Sequence, residues 1–489
     1  MKRFITILSV LLICDMGIKT TVAETRAPLP VESGYMDYVK SATEKTHGQS
    51  DQTIKKAVHK KEPSGAKKEI TMSALDAVKL AGDFVYAGDY DRAQQILLMM
   101  PQTKNLPVEI ERWYLLAQIE QRKGNFDEAI KIYRKILDDQ PDLVKIRYEL
   151  ALCYMAKHQW YRADYHLRLA MAGTDIPPDV RKAMMYYRWV ARQNKRWNAW
   201  FNFGAAPDNN VNMASGDKET IINNWGEFTR VLPKPERAFG YNFVLGGNYE
   251  FRLGENWRWK NEANIYSNIY NKHKFDDLYL SASTGPRYIW ENGDVWLAAM
   301  GARRWYGWDR YNWSAGGRMD THLDLTRRLG VGLSLRTMNN RYDEYGEYMD
   351  GMSYMVLPQI TYSFDASKYM ILFGGVERTT AKNDIYANWR YSVGLGIGAE
   401  IPWGFTVYFE PSFSWMNYDG ARWAVRNYRF EQITERDFTQ RYAVAVSNNK
   451  FDIWGFVPTI TLSYTRRDSN VASREYEKWG AEFTMRQRF

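Results

Sequence analysis

The chain has 489 residues, more than one ordinary domain needs. Its mean hydropathy is −0.53 and, past the N-terminus, no run nears the ~20 apolar residues of a spanning helix, which excludes a helical membrane protein. A net charge of +9 comes from dispersed Lys and Arg with no nucleic-acid module, so an anionic lipid or lipopolysaccharide surface is expected and nucleic acid is not.

Met1-Lys2-Arg3 is a positive start, Phe4 to Ile13 an apolar core, and Thr21-Val22-Ala23 a small-residue cleavage site, so residues 1–23 read as a secretory signal. Ile13 stands before Cys14 where lipidation needs a small residue, which disfavours a lipoprotein. With Cys14 inside the signal, Cys153 is the one cysteine left, and an intrachain disulfide or a cysteine zinc site is excluded. Residues 24–71 are Lys-rich, with Lys55-Lys56, Lys60-Lys61 and Lys67-Lys68, and hold too little apolar matter for a core; a disordered or weakly helical linker is expected.

From residue 72 to 196 the period is helical. Gly124-Asn125-Phe126-Asp127-Glu128-Ala129 through Pro141 looks like the second half of a tetratricopeptide (TPR) repeat: Ala129 lets two helices approach, Tyr133 and Ile136 pack between them, and Pro141 ends the unit. Trp113, Leu116 and Ala117 fit the preceding helix. The pattern returns 34 residues on as Leu150, Ala151, Tyr154, Ala163, Leu167 and Ala170, and begins upstream, offset by 36, at Gly88 to Ala93. About three repeats and a capping helix over 179–193 follow. Such stacks bind extended peptides or proteins in a groove. The repeat's usual geometry would line it with Tyr86, Tyr114, Gln118, Tyr148 and Met155.

From 197 to 489 the period is two. In Tyr241 to Leu253 the odd positions are aromatic or aliphatic and most even ones polar or glycine, the pattern of a strand with one apolar and one wet face. Fourteen such strands are predicted: 197–205, 239–253, 257–270, 278–290, 295–305, 313–325, 330–338, 352–364, 369–376, 387–401, 405–417, 438–446, 451–464 and 476–489, with long loops at 206–238 and 418–436. An even strand number, short turns alternating with longer loops, and 15% aromatic residues on a polar average are the marks of a bacterial outer-membrane β-barrel, with short turns and the helical module in the periplasm. A soluble sandwich or propeller is the competing architecture.

One face of these strands carries Arg258, Lys260, Glu262, Arg287, Arg318, Asp320, His322, Asp324, Arg336, Arg390, Glu400 and Glu410. Facing lipid, each Arg or Lys would cost on the order of 2–4 kcal/mol at the midplane, so this face is expected to line a wet lumen. On the last strand Trp479, Ala481, Phe483, Met485 and Phe489 share the other face, similar to the signal read by the outer-membrane insertion machinery. The six histidines are scattered, and no metal, nucleophile or phosphate-loop motif is present, so no metal, cofactor or enzyme activity is expected. His322 between Asp320 and Asp324 is the nearest approach to a catalytic group; with no serine partner it reads as a lumen polar network.

The order of signal, repeats and barrel resembles the Slam family (surface lipoprotein assembly modulators, type XI secretion). Gly204, Ala206, Pro207, Asp208, Asn210 and Asn212 match the family's Gly-x-Ala-Pro-Asp-x-Asn-x-Asn after the first strand, and Pro177-Pro178-Asp179-Val180-Arg181 and Arg196-Trp197 sit where the family has them. The resemblance covers residue 72 to the end. It implies a translocator that moves client proteins, surface lipoproteins or soluble secreted proteins, from periplasm to cell surface without nucleotide. Outer-membrane lipids, the barrel-insertion machinery and periplasmic chaperones would be further partners. A passive outer-membrane porin is the alternative, but it needs no helical module.

Overall fold

The computed structural model describes residues 72–487 except 175, 224–225, 452 and 454–455; the signal reading (1–23), the linker reading (24–71) and Phe489 lie outside the described residues. The described residues divide between Asn194 and Lys195 into two compact units.

The first is a stack of seven helices: α1 (Ala74–Tyr86), α2 (Tyr90–Met99), α3 (Leu106–Arg122), α4 (Phe126–Asp139), α5 (Val144–Ala156), α6 (Trp160–Met171) and α7 (Pro178–Gln193). Helices pair in antiparallel hairpins because small residues recur where they cross. Ala81, Ala117 and Ala151 on the first helices, and Ala93, Ala129 and Ala163 on the second, are all fully buried. Leu97, Tyr133 and Leu167 follow one turn later at the same depth. Ser73 and Asp89 cap α1 and α2 by accepting from the Asp76 and Arg92 amides.

Each hairpin turns through one motif. Asp89 N–H reaches Phe84 O at 2.9 Å, Asn125 N–H reaches Glu120 O at 2.8 Å, and Gln159 N–H reaches Tyr154 O at 2.8 Å. The residue before each is left-handed: Gly88 and Gly124 at φ 82°, but His158 at φ 57°. A Cβ in that region costs about 1–2 kcal/mol, a cost glycine escapes. His158→Gly is therefore expected to stabilise the third hairpin by about 1 kcal/mol. Hydrogen exchange on the full chain checks this: α5 and α6 amides should exchange about fivefold more slowly, and unchanged rates would show that the His158–Trp160 ring contact offsets the strain.

The second unit is a closed antiparallel barrel. Its strands are β1 (Trp197–Asp208), β4 (Ala238–Arg252), β5 (Trp257–Tyr270), β6 (Asp277–Trp290), β7 (Gly293–Tyr306), β8 (Asp309–Asp324), β9 (Leu329–Tyr342), β10 (Gly351–Ser363), β11 (Lys368–Thr379), β12 (Asn388–Ile401), β13 (Phe405–Arg426), β14 (Arg429–Asn448), β15 (Phe456–Ser469) and β16 (Tyr476–Gln487). Neighbours in sequence are neighbours in the ring, and β1 closes against both β4 and β16.

Two stretches read as long loops are ordered as strands. The 209–237 connection holds a hairpin, β2 (Lys218–Asn223) with β3 (Gly226–Val231). The 418–436 segment continues β13 and β14 as one long hairpin beyond an irregularity at Asn417–Ala421. Its tip, Asn427 and Tyr428, has φ of 49° and 64°, the left-handed pair that a tight two-residue hairpin turn needs. The sequence shows no Asn-Gly there, so the turn was not legible. The β7–β8 turn is equally tight, with Gly307 and Trp308 at φ 58° and 69°. The end of the barrel opposite Trp197 therefore carries both long connections and two-residue turns.

Candidate functional site

Period-two alternation sorts the barrel's side chains. On β4, Tyr241, Leu245, Tyr249 and Phe251 are exposed, while Asn242, Asn248 and Glu250 are buried. The exposed face carries rings at both ends of the wall: Trp257 and Trp403 near the end where β1 starts, Tyr241, Trp313, Trp389, Trp415 and Trp479 near the other. These are the aromatic girdles of a barrel in a membrane. The buried polar face looks inward.

There the charges form linked pairs. Arg287 donates to Glu250 at 2.7 Å and to Asp294 at 3.0 Å. Glu262 pairs with Lys260 at 3.0 Å and accepts from Arg318 at 3.0 Å. Trp296, 2% exposed, lies under both cations, with Lys260 Nζ 4.0 Å and Arg318 Cζ 4.5 Å from its ring. Its indole N–H donates to Gly285 O at 3.2 Å. Asp320 is held by Arg318 at 2.5 Å and by the Ser334 hydroxyl at 2.6 Å, and Arg336 donates to the same hydroxyl at 3.3 Å.

Across the rest of the ring, Arg390 pairs with Glu377 at 3.7 Å, and Glu410 accepts from Arg441 at 3.2 Å and from the Tyr408 hydroxyl at 2.9 Å. Glu400 is buried on the same face. His322 meets Asp324 at 3.3 Å while Asp320 turns to Ser334, so the three do not converge as a catalytic group. Among the described residues no three metal-ligating side chains meet. Trp296 is not among the residues that the sequence places in the lumen. Only its phase, even-numbered with Asp294, places it inside.

The helical positions expected in a groove separate. Tyr86 is 74% exposed at the end of α1, and Gln118 is half-buried. Tyr114, Tyr148 and Met155 are not groove-lining: all are buried between helices. Tyr114 packs 6.3 Å from Tyr133 and takes a 2.5 Å hydrogen bond from Gln118, with Lys145 Nζ 3.5 Å over its ring. Tyr148 packs 6.2 Å from Tyr187. One residue on a helix is 100° of rotation, enough to carry a side chain from groove to core. Burial also pushes the Cys153 thiol up and lowers the Lys145 ammonium. Exposed apolar side chains here include Met72, Leu75, Leu98, Met99, Leu106, Met185 and Tyr186, which the repeat pattern did not flag.

The junction motif sits where the ring closes. β1 pairs with β16 from Asn202–Arg486 to Ala205–Phe483, skips two positions, and resumes at Asp208–Gly480. Pro207 lies in that gap and has no N–H to donate. Ala206 stands opposite Gly240 on the unbroken β4 side. Gly204 is there for closeness: a Cβ would run into the Phe483 carbonyl and the Thr484 side chain.

Beyond the gap, side chains replace the missing ladder. Asp208 accepts from Lys478 Nζ at 2.6 Å and from the Asn210 amide at 2.9 Å. Asn210 donates to Glu477 O at 3.1 Å and to Ala214 O at 2.9 Å, and accepts from the Ala214 amide at 2.9 Å. The Trp479 amide donates to Asn209 at 2.8 Å. Asn212 bonds Lys234 O and the Glu236 amide, folding the connection back on itself. The motif thus clasps the seam. Of the suggested insertion-signal residues, Trp479 and Phe483 point outward and are exposed, and Met485 pairs with Phe203.

The family model for the surface lipoprotein assembly modifier matches residues 197–489, and a tetratricopeptide repeat model matches 110–153. Surface lipoprotein assembly modifier 1 of Haemophilus influenzae is 22% identical over 402 residues, 79% of this chain and 80% of that one. Its namesake in Neisseria meningitidis serogroup B is 25% identical over 378 residues, 75% of this chain and 73% of that one. A relative in Pasteurella multocida is 22% identical over 409 residues, 79% and 78% of the two chains. With its helical repeats, closed fourteen-stranded outer-membrane barrel and clasped seam, the chain belongs to the surface lipoprotein assembly modifier family.

Proposed function

We propose that this protein exports particular client proteins, surface lipoproteins or related secreted proteins, from the periplasm to the cell surface. The helical stack, residues 72–196, stands in the periplasm and captures a client that has not finished folding. The barrel, 197–489, conducts it, and folding outside makes the passage irreversible. The observation that carries this reading is a barrel whose inner wall carries linked ion pairs, in one chain with a repeat module of the kind that binds extended polypeptide. The relatives' name, with its surface lipoprotein, supports the same client class.

Residues 1–23 direct export and 24–71 tether the stack. The outward residues of the last strand are read by the barrel-insertion machinery, and periplasmic chaperones deliver the client. No cofactor or enzymatic step is needed.

The test is surface labelling, on intact cells, of a lipoprotein encoded beside this gene, with and without the full chain. Labelling that appears only with the protein supports the proposal. Equal labelling in its absence, or small-solute conductance as the sole change, would overturn it in favour of a porin.

A further inference from the structure

The lumen wall is not uniformly polar. On β10 to β12 the inward positions include Met355 and Leu357, then Ile371 and Phe373, then Gly394, Gly396 and Gly398; Gln359 stands opposite Phe373, Thr361 opposite Ile371 and Glu377 opposite Met355. Their direction follows from their neighbours: Val356, Leu372, Val393 and Ile397 are exposed on the lipid face, while Arg390 and Glu400 of β12 are buried on the other.

The glycines make no turn. A Cβ on Gly394 would meet the Phe373 ring, one on Gly396 the Tyr408 hydroxyl, and one on Gly398 the Tyr369 ring. The Ser392 hydroxyl and Leu357 cover Gly375. The Phe373 and Tyr369 rings and the Tyr408 hydroxyl therefore sit over bare strand. With Met355, Leu357 and Ile371, the Phe373 and Tyr369 rings give this sector an apolar strip, interrupted by Gln359, Thr361 and Glu377, while the glycines leave the channel its width. Further round the same wall stand the ion pairs of Glu262, Arg318 and Lys260.

We infer that this apolar strip and the charged sector together form a track for an extended polypeptide in transit. The inference rests on the export reading and names what the barrel holds. An extended chain sends successive side chains to opposite sides. A segment of alternating apolar and charged residues meets both sectors at once, apolar groups on Met355, Ile371 and Phe373, charged groups on the ion pairs. An acyl chain has nothing to offer the charged sector, so the track is built for polypeptide.

The experiment uses the full chain in a planar bilayer and three short synthetic peptides. One alternates valine with lysine and glutamate. The second has serine for valine, and the third is the serine peptide bearing one palmitoyl group. The readout is the dwell time of current blocks. The valine peptide should dwell about tenfold longer than the serine peptide, the difference expected from a few buried methyl groups. Met355→Ser with Ile371→Ser, neither of which covers a glycine, should remove that difference and leave the serine peptide's dwell unchanged. Ile371→Ser alone keeps the test usable if the double variant fails to fold.

Equal dwell for valine and serine peptides, or a valine advantage that survives the substitutions, overturns the track. So does a palmitoyl peptide that alone depends on these residues, which would assign the strip to acyl chains. Surface display by the unmodified chain, measured in parallel, separates the two levels. Display without a dwell difference sinks the track only; no display sinks the export reading beneath it.

Discussion

A chain lacking residues 72–193 should still insert as a barrel, and displayed client should fall to background. Insertion survives because the barrel closes on itself: β1 is held by β4 along its length and by β16 at the seam, and pairs such as Arg287–Glu250 and Arg318–Glu262 are made within its own wall. The helices have a core of their own, Ala77 to Val190 among the described residues. Display fails because capture by a tethered module becomes a bimolecular encounter. Losing an effective concentration of that kind lowers occupancy by about a hundredfold or more. Surface labelling beside heat-modifiable gel mobility measures both quantities on one sample. Undiminished display by the truncated chain would remove the capture role from the helices.

Gly204→Val should prevent the ring from closing. The new side chain must share space with the Phe483 carbonyl and Thr484, and a strand carbonyl has no rotamer by which to give way. Overpacking in a well-ordered interior costs about 1–3 kcal/mol, and parting β1 from β16 forfeits ladder hydrogen bonds of about 1 kcal/mol each besides. Folded barrel, scored as the fast-migrating species in unheated gels, should drop about tenfold or more. Gly254→Ala is the matched control: a Cβ there meets nothing within 4 Å, and folding should be unaffected. Normal folding of Gly204→Val would mean that the seam tolerates a wider spacing and that Gly204 serves something other than closeness.

The architecture could be read from the chain because it rests on periodicity, and periodicity is local. The step from a period of 3.6 to one of two near Trp197 marks where helices give way to strands. Ala81, Ala117 and Ala151 repeat because each hairpin meets its neighbour in the same way. Strand phase was legible from energetics: Arg287, Arg318 and Arg390 could face only water. The Asn427–Tyr428 turn was not, because its left-handed pair carries no glycine and closes only after two strands have met at a distance.

The rest belongs to tertiary structure. That Tyr114, Tyr148 and Met155 are core and not groove depends on a rotation of one residue, which only the packing of neighbouring helices settles. That Gly204 to Asn212 form a clasp depends on β16, more than 260 residues away in the chain but hydrogen-bonded through Asn210 and Asn209 in the fold. Amino-acid order could say which side chains shun lipid and which repeat, since both follow from each residue and its near neighbours. It could not say which distant residues touch, because ring closure and helix docking bring together parts of the chain whose spacing carries no signal of their contact.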